Sequence, residues 1–167
     1  MIRFMVLDPA KRKGLQPGDA EFLEIIATHG WHVMYVAPRA ESNDDEIWWA
    51  YSTGLYFGYK HPEIAVFGLD YENSVNVINL AGDMAKKGKR IKPNREYSDF
   101  FEGRKCIFHP VDPSHYREYF GSSLWFYEGD FFPALQCFWS DEKGFYPWDP
   151  RCYPECRQSQ PLLFTES

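Results

Sequence analysis

Apolar residues recur at helical spacing in three parts of the chain. Phe22, Leu23, Ile25 and Ile26 follow Asp19, a capping residue type, and precede Gly30, a common stop; this predicts a helix over residues 19–29. Val77, Ile78, Ala81, Met84 and Ala85 share one face behind Asp70 and before Gly88, which predicts a second helix over 71–87. Asp112 and Pro113 open a third stretch, where Tyr116, Tyr119, Phe120, Ser123, Leu124 and Tyr127 step by three and four residues, predicting a helix over 113–128.

Between these lie shorter apolar runs of strand character. WHVMYVAP reads as a strand ended by Pro38, and RKCIFHPV and ALQCFW as two more. The runs Ile47–Phe57 and Glu63–Leu69 flank a loop with Gly58 and Pro62 and read as a hairpin. The second of them is apolar on both faces, as a central strand would be. About five strands and about three helices, with hairpins in place of regular βαβ alternation, predict a single α+β domain over residues 1–167. Its sheet is expected to be mostly antiparallel and curled toward a barrel, a split barrel being one form. Residues 1–18 form a polar lead-in, and residues 150–167 a Pro-rich tail packed on the body. RAESNDDE reads as a solvated acidic loop.

One strand is lopsided. Side chains alternate along a strand, so Ala50, Ser52 and Gly54 share one face while Tyr51, Thr53 and Leu55 share the other. The nearly bare face implies close approach, either by a helix lying on the sheet or by a ligand in a cavity.

Charge and cysteine usage narrow the partners. The net charge is −6, and the one dense basic stretch, KKGKRIK, closes the second helix where cations complement its dipole. No nucleic-acid partner is therefore expected. MIRFMVLD is too short for a signal-peptide core and no span approaches transmembrane length, which predicts a cytoplasmic protein without a membrane partner. The four cysteines fit that compartment as reduced thiols; Cys106 and Cys137 fall in strand-like runs, and the C-x3-C pair Cys152/Cys156 lacks zinc-knuckle spacing. Aromatics make up 19% of the chain, which serves cores and recognition surfaces alike, and the oligomeric state stays open.

Several side chains carry candidate chemistry. His61 and Glu63, two residues apart at the end of the small-faced strand, offer a general base with its orienter; alternatively Pro62 sets a turn, His61 is exposed and Glu63 begins the next strand. His109, Asp112 and His115 supply the residue types of a non-haem iron site, although Asp112 doubles as a helix cap. The Tyr116–Tyr127 stripe lines either a core or a pocket with phenolic handles. Gln136, an amide in an apolar strand, needs a partner if buried, and Asp149 caps a turn or meets a cation. No nucleophile elbow, phosphate-cradling glycine loop or H-E-x-x-H is present in the sequence.

The blocks GWHV, YSTGL, HPE, VFGL, PVD, LWFY, FPALQ, YPWDP and QPLL occur in one order from about Asp19 to Leu163. In that order the chain resembles the bacterial family called domain of unknown function 4262. The family's usual Y-T-x-G-L reads Y-S-T-G-L here, and its W-P-D reads Trp139-Ser140-Asp141. The resemblance implies a bacterial or phage origin and a cytoplasmic single domain, and it implies no activity.

Three functional readings follow. The first is a non-catalytic domain binding a small molecule or a partner protein, without a cofactor. The second, by fold-level analogy with flavin reductase-like barrels, is an FMN-binding split-barrel oxidoreductase using the Ala50, Ser52, Gly54 lane and a donor at Thr53. The third is metal-assisted chemistry at His109, Asp112 and His115. Any ligand pocket is expected to include Ser52 or Gly54 with at least two of His61, Glu63, Tyr127, Gln136 and Asp149.

Overall fold

The structure, a computed structural model, describes residue 9 and residues 12–38 and 47–165. The N-terminal MIRFMVLD and the acidic loop RAESNDDE lie outside the described residues. Helix α1 spans Asp19–His29 and buries Phe22, Leu23 and Ile26. Gly30, at φ 110°, returns its amide to the Ile26 carbonyl and stops the helix as its position predicts. The N-cap is Gly18 rather than Asp19, whose carboxylate instead accepts the Gln16 amide at 2.6 Å.

Strands β1 (His32–Val36), β2 (Trp49–Thr53), β3 (Glu63–Phe67), β4 (Glu96–Phe101), β5 (Arg104–Pro110) and β6 (Ala134–Trp139) form one sheet. Its order is β1-β2-β3-β6-β5-β4. The β3/β6 pair is parallel and the other neighbours are antiparallel. Both central strands, β3 and β6, are buried along their whole length, as their continuous apolar runs require.

The sheet is open, with β1 and β4 at its two ends, which corrects the expected curl toward a barrel. The physical reason lies in what covers the faces. Val77, Ile78 and Ala81 of α3 (Tyr71–Lys86) pack with Ala50, Ile64, Val66, Leu135 and Cys137 on one side. Phe22, Leu23, Tyr116, Phe120 and Phe126 pack with Tyr51, Ala65 and Phe67 on the other. Helices on both faces bury the apolar surface that closure would otherwise have to bury.

Among the described residues there are six α-helices, not three. Two five-residue helices, α2 (Leu55–Tyr59) and α6 (Pro154–Gln158), are too short to show a period in sequence. The stretch expected as one helix over 113–128 divides into a 3-10 turn at Pro113–His115, α4 (Tyr116–Tyr119) and α5 (Gly121–Tyr127). Phe120 leaves helical geometry at φ −125°, ψ 43°, just before Gly121, a poor helix former, and its ring packs on Tyr116 and Tyr51. The expected hairpin is also modified: β2 and β3 are antiparallel neighbours, but the chain turns at Gly54, φ 120°, into α2 before returning. Strand β4 was not expected, because an exposed edge such as EYSDFF carries no sustained apolar alternation.

Candidate functional site

Glu63, the first residue of β3, is fully buried, and its carboxylate points back at the amino end of α2. It accepts the amides of Gly54 at 2.9 Å, Leu55 at 3.1 Å and Tyr56 at 3.4 Å. Ser52 Oγ donates to it at 2.7 Å and in turn accepts the Ile64 amide at 2.9 Å. Tyr127 on α5 donates its phenolic hydroxyl to the other carboxylate oxygen and accepts the Phe57 amide at 3.1 Å. Burial pushes the Glu63 carboxyl above its ordinary range, while the bonds from Tyr127, Ser52, Gly54 and Tyr56 pull it back. The Tyr127 phenol is driven up by burial and then by the Glu63 charge.

Five donors fill the acceptor positions that a carboxylate offers. Glu63 thus serves as the cap of a helix that has no capping side chain of its own. With those positions used and the group closed off from water, Glu63 has nothing left with which to take a proton from a ligand.

The structure brings four of the eight ligand-binding candidates into this network: Ser52, Gly54, Glu63 and Tyr127. Thr53 faces away, with its hydroxyl 2.7 Å from Ser123 Oγ. His61 is buried, not exposed: Nε2 accepts the Ile91 amide at 3.1 Å, so the proton sits on Nδ1, which donates to the Pro62 carbonyl at 2.8 Å. Burial lowers its basicity and both nitrogens are occupied. Gln136 ties down the tail, donating to the Pro161 carbonyl at 2.6 Å and accepting the Leu163 amide at 3.3 Å. Asp149 caps a surface turn, where Arg151 holds its carboxyl down to about 2.

The bare lane of β2 is occupied by the chain itself. Ala50 packs with α3, and a Cβ placed on Gly54 would lie 2.6 Å from the Gly30 carbonyl oxygen and 3.0 Å from Trp31 Cα. Trp31 fills the remaining depth: its ring sits where a Cβ on Gly82 would be, and its Nε1 donates to Asn79 at 2.9 Å. The space beside Gly54 is therefore taken by the Gly30–Trp31 backbone.

Two of the iron-type residues, His109 and Asp112, are engaged elsewhere. The His109 ring packs against Phe164 at 4.7 Å and Trp148 at 5.1 Å. Asp112 caps Ser114 at 2.9 Å and accepts the Thr165 hydroxyl. Among the described residues no group of three His, Cys, Asp or Glu side chains is disposed to hold a metal ion. All four cysteines are free and buried.

An open cleft of about 570 Å³ lies elsewhere, between α1, the edge strand β1 and α5. Phe22, Met34 and Trp125 supply apolar wall, and Asp19, Glu21 and His32 supply polar groups. The Phe22 ring lies 4.6 Å from the His32 ring and 5.9 Å from Trp125. At the rim the Arg12 guanidinium stacks 4.3 Å over Trp125 and donates to the Phe126 carbonyl at 2.6 Å. His32 Nδ1 is the one buried side-chain nitrogen or oxygen among the described residues that lacks a hydrogen-bond partner. Burial lowers the basicity of His32 against the pull of Glu21. An unpaired buried acceptor is better tolerated than an unpaired N–H, which favours the neutral ring with its proton on Nε2.

None of the eight expected residues lines this cleft. Its signal in the sequence is slight: a histidine within the apolar run GWHV, on a strand whose edge position no local pattern reveals.

No curated protein matches this chain, and no solved structure matches it. A family model described as "Domain of unknown function (DUF4262)" matches residues 25–153, from the middle of α1 to just before α6. That span takes in the whole sheet, the Glu63 network and most of both cores, and the chain belongs to the DUF4262 family.

Proposed function

We propose that this protein is a non-catalytic domain that binds a small ligand in the cleft between α1, β1 and α5. The observation that carries the reading is His32: a neutral imidazole with a buried, unpaired nitrogen, set in the wall of an open, partly aromatic concavity. Ligand sites combine apolar wall with a few polar groups, and this cleft has both. The absence of catalysis in the proposal follows from the residues that would have supplied it. Glu63 is saturated by its five donors and His61 by its two partners, so neither is left for proton transfer.

A protein-detected NMR fragment screen tests the reading. Hits should shift the Trp125 indole N–H, the Met34 methyl and the His32 ring signals together, and His32→Phe should weaken them. Hits that map consistently to another part of the molecule, or no hit at millimolar concentration, would overturn it.

A further inference from the structure

We infer that the ligand is a short extended peptide that adds to the open edge of β1 and sets one side chain into the cleft; the inference rests on the ligand-binding reading above. The Trp48 carbonyl accepts the Gly68 amide at 2.8 Å, so alternate residues of β2 turn their backbone toward β3, while Trp49, Tyr51 and Thr53 turn theirs toward β1. Their register partners Val36, Met34 and His32 answer them. Val33 and Tyr35 are left with N–H and C=O directed out of the sheet, and among the described residues no backbone group meets them. A second extended backbone is the partner whose donors and acceptors match that spacing.

Natural sheets guard such an edge with charge, proline or a bulge. The opposite edge is guarded in this way: β4 carries Glu96 and Asp99 exposed, and its register with β5 shifts between Tyr97 and Phe101. Strand β1, HVMYV, has no Lys, Arg, Asp, Glu or Pro, and its register with β2 is continuous. Apolar surface lies beside it on both faces. Met34 forms part of the cleft wall. A residue opposite Met34 on an added antiparallel strand is its non-hydrogen-bonded neighbour, the closest pairing of side chains in such a ladder, and so it meets the cleft. On the other face Tyr35 stacks 5.3 Å from Trp48 and stands edge-on to Tyr71, both of them exposed aromatics. The net charge of −6 opposes edge-to-edge pairing of two copies, which leaves a peptide of another chain as the occupant.

The test titrates the full chain, followed by NMR, with the blocked peptide acetyl-Lys-Thr-Val-Leu-Val-Thr-Lys-amide and with the same peptide N-methylated at both valines. The valines flank the leucine and exchange backbone bonds with Val33 and Tyr35 in the expected register; methylation removes their N–H donors and keeps every side chain. The parent peptide should shift the Val33 and Tyr35 amides together with the Met34 methyl and the Trp125 indole N–H. N-methylation should weaken it about tenfold or more, the effect of losing two backbone hydrogen bonds. Serine in place of the peptide leucine should also weaken it about tenfold. Equal binding of the parent and the N-methylated peptide at Trp125 would overturn strand addition and leave the cleft as a site. No response to the parent at millimolar concentration, in a sample whose cleft still answers fragments, would do the same. Shifts at Val33 and Tyr35 with none at Met34 or Trp125 would overturn the placement in the cleft. Concentration-dependent shifts of the same amides without peptide would make a second copy the occupant and overturn the peptide.

Discussion

Tyr127 and Glu63, 64 positions apart in the chain, are joined by a hydrogen bond from the phenol to the buried carboxylate. The same phenolic oxygen accepts the Phe57 amide, so α5, β3 and α2 meet at one side chain. Neither residue could hold its place alone. A buried carboxylate without donors is costly, and so is a helix end without acceptors.

Replacing either partner should therefore cost stability well beyond a surface change. Glu63→Gln puts an N–H2 group against amide donors and is expected to cost about 3 kcal/mol. Tyr127→Phe removes one donor and one acceptor and should cost about 2 kcal/mol. Because the two share one network, the double variant should cost less than the sum by about 1 kcal/mol or more. Urea unfolding of the four proteins checks this, and additive losses would mean that the two residues act independently.

Gly54 separates the demands of a turn from the demands of packing. Gly54→Ala must adopt φ 120° and also push its methyl to within 2.6 Å of the Gly30 carbonyl oxygen. A loss of about 3 kcal/mol is expected. Gly103, at φ +73°, has nothing within 4 Å of its Cβ position, so Gly103→Ala should cost only about 1 kcal/mol. Equal losses at the two positions would show that the lane of β2 has room to spare.

Acid should destabilise the fold through its buried histidines. Burial lowers the folded-state pKa of His61 and of His32 below the ordinary value of about 6.5. The unfolded chain then binds more protons in the window below that value, so stability is present above it and is lost as pH falls toward the folded pKa values. His61→Gln should be less stable at pH 7, because the Ile91 amide loses a well-placed acceptor, yet show a shallower decline between pH 7 and pH 5. Unfolding free energies measured along that range give the answer; parallel curves for the two proteins would remove His61 from the acid response.

The thiols should be chemically quiet in the native state. All four are buried, and burial pushes Cys156 up to about 12 while also raising Cys137. Titration with a thiol reagent is expected to be slow for the folded protein and to find four groups after denaturation without reductant. Fewer than four would reveal a disulfide.

Local pattern was enough for the elements whose stability is local or one-sided. Helices α1 and α3 were legible from their apolar stripes, and Asp70 caps α3 as expected, accepting the Asn73 amide at 2.8 Å. The central position of β3 was legible too, because a strand buried on both faces must be apolar on both. The small face of β2 announced a close approach, but only the fold decided that Gly30, Trp31 and α3 make it. What the sequence could not contain was pairing at a distance. Whether β3 meets β6 in parallel, whether the sheet closes, and which carboxylate caps α2 all depend on which segments come together after collapse. Glu63 reads locally as the polar start of a strand, and it becomes a cap because β3 returns beside the strand it left. His32 reads as one polar residue among apolar neighbours, and it borders a cleft because β1 ends the sheet and α1 and α5 stop short of covering it. Sequence spacing reaches a few residues along one element, whereas the Glu63 contacts span from 7 to 64 positions, the β3/β6 partners such as Glu63 and Ala134 lie 71 apart, and all exist only once the two faces of the sheet are filled.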